Sequence, residues 1–140
     1  MLDDGITETV ASGGLEPSLA LMSDDTPCIA WYDLSDADLE YSCRTGTDSW
    51  TTTTVDSTDF VGDYPALAFN SADEPYIAYY DYTNGDLKIA HHDGSSWTTL
   101  TIDSTGDVGK EADITIDDDD VVYISYYDAT NATVKMVEGY

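Results

Sequence analysis

The chain has 140 residues, with 29 Asp or Glu against 4 Lys or Arg, and a net charge of -25. That charge excludes binding to nucleic acid by electrostatics, because a phosphate backbone would meet a field of its own sign. No apolar run approaches the roughly 18 residues of a membrane span, and the start Met1-Leu2-Asp3-Asp4-Gly5 lacks the basic and apolar regions of a signal peptide. Hydrophobic residues make up 41%, and there are eleven tyrosines, too much apolar surface for a disordered acidic chain, so one folded domain or less is expected.

In chain order, a first strand-like run covers residues 6–10, within a segment 5–10. Four elements then follow, rich in Val, Ile, Thr, Tyr and Trp and bounded by Gly, Asp, Asn and Ser, the signature of short strands with tight turns. The first, Pro17-Ser18-Leu19-Ala20-Leu21, recurs as Pro65-Ala66-Leu67-Ala68-Phe69 and more loosely as Ala112-Asp113-Ile114-Thr115-Ile116. The second, Ile29-Ala30-Trp31-Tyr32-Asp33, recurs as Ile77-Ala78-Tyr79-Tyr80-Asp81 and Ile124-Ser125-Tyr126-Tyr127-Asp128. A third reads Asp38-Leu39-Glu40-Tyr41, Asp86-Leu87-Lys88-Ile89 and Thr133-Val134-Lys135-Met136, and a fourth starts at Trp50 and again at Trp97.

Four antiparallel strands in about 45 residues make the unit of a β-propeller blade, so the expected fold is all-β, with three blades per chain at 17–56, 65–103 and 112–140. A two-sheet sandwich is the alternative, although it would not require a repeat with the same strand order each time. The third unit lacks its fourth strand, and residues 6–10 align with 51–55 as the missing one. Three blades are too few for a ring, since rings typically hold four to eight. Two chains exchanging that first strand would form a six-bladed homodimer with an isologous interface. The alternative is a fragment or subunit of something longer.

Of the acids, 23 are Asp, spread along the chain. Such a composition suits a high-salt environment, where the Debye length falls to about 3 Å at molar salt. The rival reading is binding of a hard cation such as Ca²⁺, with Asp117, Asp118, Asp119 and Asp120 as the local candidate; no other cofactor is implied. Pairing Asp33 with Asp38 places Cys28 directly opposite Cys43, where a disulfide can form. A bridge favours an extracellular or cell-surface location, and two reduced thiols a cytosolic one. Asn131-Ala132-Thr133 is a glycosylation sequon in an exported chain.

With its corners Gly46-Thr47-Asp48-Ser49-Trp50 and Asp93-Gly94-Ser95-Ser96-Trp97, the sequence resembles the sialidase-like and bacterial neuraminidase-repeat propellers. Their Asp-box reads Ser-x-Asp-x-Gly-x-Thr-Trp; here the Trp is in place and the Asp-x-Gly spacing is not. The resemblance implies that Trp50 and Trp97 pack the blades. Sialidase chemistry, as the resemblance implies it, needs three arginines with a Tyr nucleophile, and Arg44 stands alone. No catalytic set can be picked out, so the chain is expected not to be an enzyme. Asp33, Asp81 and Asp128, with Tyr32, Tyr80 and Tyr127, lie at the same ends of equivalent strands and form the candidate binding face, either for neutral carbohydrate or cations or simply as turn-fixing acids. A non-catalytic binding or scaffold module follows, against a glycan-processing hydrolase or a fragment without a function of its own.

Overall fold

A computed structural model describes Gly5 and residues 7–140. It contains β1 (Gly14–Leu21), β2 (Pro27–Asp33), β3 (Asp38–Gly46), β4 (Ser49–Asp56), β5 (Val61–Phe69), β6 (Pro75–Asp81), β7 (Asp86–His92), β8 (Trp97–Asp103), β9 (Val108–Ile116), β10 (Val122–Asp128) and β11 (Thr133–Glu138). All pairings are antiparallel between sequence neighbours, giving sheets β1-β2-β3-β4, β5-β6-β7-β8 and β9-β10-β11. The repeat is thus a repeat of sheets. In the second sheet β6 is buried along both faces, because it lies between the other two.

The sheets stack face to face through two apolar interfaces. Cys28, Ala30 and Leu39 of the first sheet meet Val61, Leu67, Ile77, Tyr79 and Ala90 of the second. On its opposite face the second sheet packs Ala66, Ala78, Leu87 and Ile89 against Val108, Ile114, Val122, Ile124 and Tyr126 of the third. Period-two alternation explains why both interfaces draw on one sheet: neighbouring residues of β6 point to opposite sides.

Polar contacts recur at both interfaces. Val61 donates its backbone N–H to the Ala37 carbonyl at 3.0 Å, and Val108 donates to Gly85 at 2.9 Å. At the other end of the sheets, the N–H and hydroxyl of Ser23 bind the Asp73 carboxylate, and those of Ser71 bind Asp120. Near the outer strands, Asp56 accepts from the Tyr79 hydroxyl at 2.6 Å and from Lys88 at 2.5 Å. Asp103 accepts likewise from Tyr126 at 2.8 Å and Lys135 at 2.6 Å. Each is a carboxylate of one sheet held by a hydroxyl and an ammonium of the next.

The first-element strands start earlier than Pro17, Pro65 and Ala112, at Gly14, Val61 and Val108. A bulge at Glu16, Tyr64 and Glu111 breaks the alternation in each, with φ of 52°, 51° and 52°. Cys28 and Cys43 sit opposite each other with Cα atoms 4.2 Å apart and are joined by a disulfide. Of the first strand-like run, Ile6 lies outside the described residues, while residues 7–10 pair with no strand in this single chain. Glu8 instead ion-pairs with Arg44 and accepts from the Trp50 indole at 3.0 Å, against the outward face of the first sheet.

All four cations are ion-paired: Arg44 with Glu8, Lys88 with Asp56, Lys110 with Asp107 and Lys135 with Asp103. The remaining acids repel one another, and this sets the response to pH. Burial raises Asp38, Glu40, Asp63 and Asp86 above the ordinary carboxylate value, so the folded chain takes up protons before the unfolded chain does. Stability should therefore rise as pH falls from 7 towards about 4.5, where self-repulsion also fades. Asp103 and Asp107 are lowered by hydrogen bonds from Lys135 and Lys110, and at Asp56 the hydrogen bonds of Lys88 and Tyr79 outweigh the raising effect of burial. Their contribution is complete above the unfolded value and is lost as pH drops below about 3.5. Thermal melts at low salt should show a maximum between these limits, and molar NaCl should flatten the rise above it. A melting temperature that falls steadily from pH 7 to 4.5 would contradict this.

Candidate functional site

The three bulges point to one place. Glu16 and Pro17, Tyr64 and Pro65, and Glu111 and Ala112 line a single groove of about 450 Å³. A bulge leaves a residue outside the ladder and re-aims its side chain, which is how three equivalent strand positions converge there. The Tyr64 N–H donates to the Glu16 carboxylate at 2.6 Å, tying the first bulge to the second.

A second depression of about 310 Å³ adjoins it, lined by Tyr32, Phe60, Asp63 and Tyr82. Phe60 and Tyr82 are 59% and 65% exposed, so two aromatic side chains stand open to solvent in the same depression as the Asp63 carboxylate. Tyr82 meets Tyr80 edge-on with ring centres 6.3 Å apart, and Tyr64 lies tilted against Tyr80 at 6.3 Å. Lys110 covers the Tyr80 ring at 5.1 Å and bonds Asp107 at 2.6 Å, while the Tyr80 hydroxyl donates to Asp107 at 2.7 Å.

Electrostatics links the two depressions. Burial raises the Asp63 carboxyl, and the nearby charge of Glu16 raises it further. Burial pushes Tyr32 up with help from Asp63 and Glu16, and it pushes Tyr80 up to about 12 with help from Asp107. The surface thus offers aromatic side chains, carboxylate acceptors and the protonated phenol of Tyr32 as a donor, a set suited to hydroxyl-rich neutral ligands.

Of the residues expected at a binding face, Tyr32 lines the second depression, whereas Tyr80 is buried, reaching the site only through its edge-on contact with Tyr82. Tyr127 is 36% exposed and lies opposite Lys110 on the third sheet. The three aspartates fix their own turns: Asp33 accepts from Ser35, Asp81 from Asn84, and Asp128 from Asn131. Asp81 and Asp128 are buried, so ligand cannot reach them from solvent. The Asn131 amide of the sequon is held by Asp128 in the same turn.

The acidic run does not converge as a cation site. Asp117 accepts from the N–H groups of Asp119 and Val121 and from the Tyr123 hydroxyl, while both oxygens of Asp120 hold Ser71. Among the described residues no group of three His, Cys, Asp or Glu side chains is placed to hold a metal. Trp97 packs edge-on against Tyr41 of the first sheet at 5.2 Å, between sheets.

Sequence reasoning missed Glu16, Phe60, Asp63, Tyr64, Tyr82 and Glu111. The available signal was divergence inside the repeat: the residue two before Pro17, Pro65 and Ala112 is Leu15, Asp63 and Lys110, and the one directly before is Glu16, Tyr64 and Glu111. Positions that vary where the fold repeats are free for function.

Neither a protein-family model nor a curated protein matches this sequence. Among solved structures, an endo-arabinase from Bacteroides thetaiotaomicron matches with a TM-score of 0.55 at 17% identity. The likeness is one of fold. It covers 90% of this chain and 55% of the endo-arabinase, so the chain spans little more than half the length of that structure. At that identity it shows a propeller-like all-β architecture and is silent on which residues act.

Proposed function

We propose that the chain is a sector of a β-propeller whose blades are the three sheets, and that it binds neutral carbohydrate without turning it over. The pair of exposed aromatics, Phe60 and Tyr82, beside Asp63 carries the reading. Aromatic faces accept the apolar face of a sugar ring, while Asp63 and Glu16 accept its hydroxyls. The charge of -25 selects against anionic sugars. The endo-arabinase likeness lends support at the level of fold, and makes arabinan fragments a natural first probe.

Titration calorimetry with arabino-, xylo- and gluco-oligosaccharides tests it. Binding of one of these should weaken about tenfold or more in Tyr82→Ala and Phe60→Ala, a loss of about 1.4 kcal/mol, with the fold unchanged by circular dichroism. No heat with any neutral glycan, or binding indifferent to both substitutions, would remove the proposal.

A second reading, glycoside hydrolysis, is favoured by one observation: Asp63 is raised beside Glu16, and glycosidases use a carboxyl pair with one member held protonated. Turnover of arabinan that disappears in Asp63→Asn would establish it over the binding module.

A further inference from the structure

We propose that the outward faces of the first and third sheets are one interface between two copies of this chain, joined by addition of residues 7–10 of each copy to β11 of the other.

The internal interfaces define what such a junction looks like. Leu87 and Ile89 are 0% and 5% exposed inside the second interface, whereas their equivalents one repeat on, Val134 and Met136, are 80% and 60% exposed. At the other end of the stack, Leu67 is 6% exposed and its equivalent Leu19 is 61% exposed. Two apolar faces of the same design, one of each polarity, therefore stand open, and a second copy supplies the complement of both.

The polar ties agree. At the first interface Glu16 and the Ser18 hydroxyl accept from the N–H groups of Tyr64 and Leu67. The third sheet carries Glu111 and Asp113 at those two positions, placed to accept from Glu16 and Leu19 of the second copy. The Ala132 carbonyl occupies the place of Ala37 and Gly85, whose carbonyls receive Val61 and Val108; all three have positive φ, of 54°, 64° and 76°.

The N-terminal segment already lies in the right lane. Trp97 and His92 of the second sheet flank a hollow shared with Thr53 of β4, the outermost strand of the first sheet. Glu8 holds Arg44 and Trp50, the equivalents of His92 and Trp97 one repeat earlier. Glu8 therefore stands where the outermost strand of a preceding blade would stand, in register with Thr53. It has no blade behind it, while β11 has β10 on one side and no strand on the other among the described residues. In the pair, β11 gains this segment as its fourth strand, Thr7 opposite Val137, as Thr52 is opposite Ser42. The groove of Glu16, Tyr64 and Glu111, open on one side in a single chain, is closed by the same three residues of the second copy.

Charge decides the conditions. At the internal junctions Ser23 meets Asp73 and Ser71 meets Asp120; between copies Asp118 would meet Asp25. Pairing two chains of -25 through such a contact requires screening, so association should strengthen from about 0.1 M to molar NaCl.

Light scattering on the whole chain should give twice the single-chain mass in molar NaCl. Val134→Asp should return the single-chain mass with its circular dichroism intact. In Thr7→Cys with Val137→Cys, oxidation should give a covalent dimer whose peptide map joins 7 to 137 between chains at both ends. Single-chain mass at every salt, an intrachain 7–137 link, or an open series of larger masses would each overturn the proposal.

Discussion

Asp56→Ala should destabilise the chain by about 3–5 kcal/mol, the range for removing one partner of a buried ion pair. Asp56 and Lys88 are 6% and 8% exposed, and the carboxylate also takes the hydroxyl of fully buried Tyr79. Removing it leaves the Lys88 ammonium without its ion-pair partner and takes an acceptor from the Tyr79 phenol, both at the first interface. At roughly 3–4 °C for each kcal/mol the melting temperature should fall by about 10–20 °C. Asp103→Ala, the same change at the second interface, should cost less. The Lys135 side chain is 35% exposed and also lies 3.7 Å from Asp128, so it can return to water or take a new partner. Replacing the whole cluster with Asp56→Leu, Tyr79→Phe and Lys88→Met should recover most of the loss, because an apolar cluster leaves nothing unpaired. Equal melting curves for wild type and Asp56→Ala would show that the cluster is solvated.

The same cluster shows where the sequence could be read and where it could not. Strands β2, β6 and β10 were legible because the β-prone run Ile-x-x-Tyr-Asp repeats three times between turn residues, and the pairing of Cys28 with Cys43 followed from a tight turn that fixes register. The early halves of β1, β5 and β9 were hidden because a bulge breaks the alternation on which strand recognition rests. Val55-Asp56-Ser57-Thr58 recurs as Ile102-Asp103-Ser104-Thr105, and Lys88 recurs as Lys135. Those repeats were visible, yet among 29 acids nothing in a one-dimensional pattern separates the two carboxylates that meet lysines across an interface from those facing water. The candidate binding face was half legible for a related reason. Tyr32 and Tyr80 were reached through the repeat, whereas Phe60 and Tyr82 lie in turns, where no periodicity says which way a ring points. At the first sheet the cluster positions hold Trp31 and Glu40, which bond instead to Ser42 and Thr54 within their own sheet. The outward face of the first sheet therefore keeps the apolar pattern of the inner faces but presents no ammonium at the cluster position.

Gly109→Ala should be the most damaging single-methyl change, costing about 3–5 kcal/mol from backbone strain and overpacking together. Gly109 has φ of 105°, and a Cβ there would lie 2.7 Å from the Leu87 Cα and 3.0 Å from its backbone nitrogen. The obstruction is main chain, so no rotamer change relieves it. Gly62 makes the same approach to Leu39 at the first interface, with φ of 101° and a Cα only 2.8 Å away, which shows that each inner strand must cross its neighbour at backbone contact distance. Gly94 supplies the control. Its φ is 84° but nothing lies within 4 Å of the added carbon, so Gly94→Ala should cost only the strain, about 1 kcal/mol. Because the clash lies between the second and third sheets, hydrogen exchange should locate the damage. Amides of Val122 and Ile124 should exchange many times faster in Gly109→Ala, while those of Ala30 and Leu39, one interface away, keep more of their protection. Uniform loss of protection across all three sheets would mean that the stack unfolds as a single cooperative unit, and the sheet-by-sheet account of its stability would then fail.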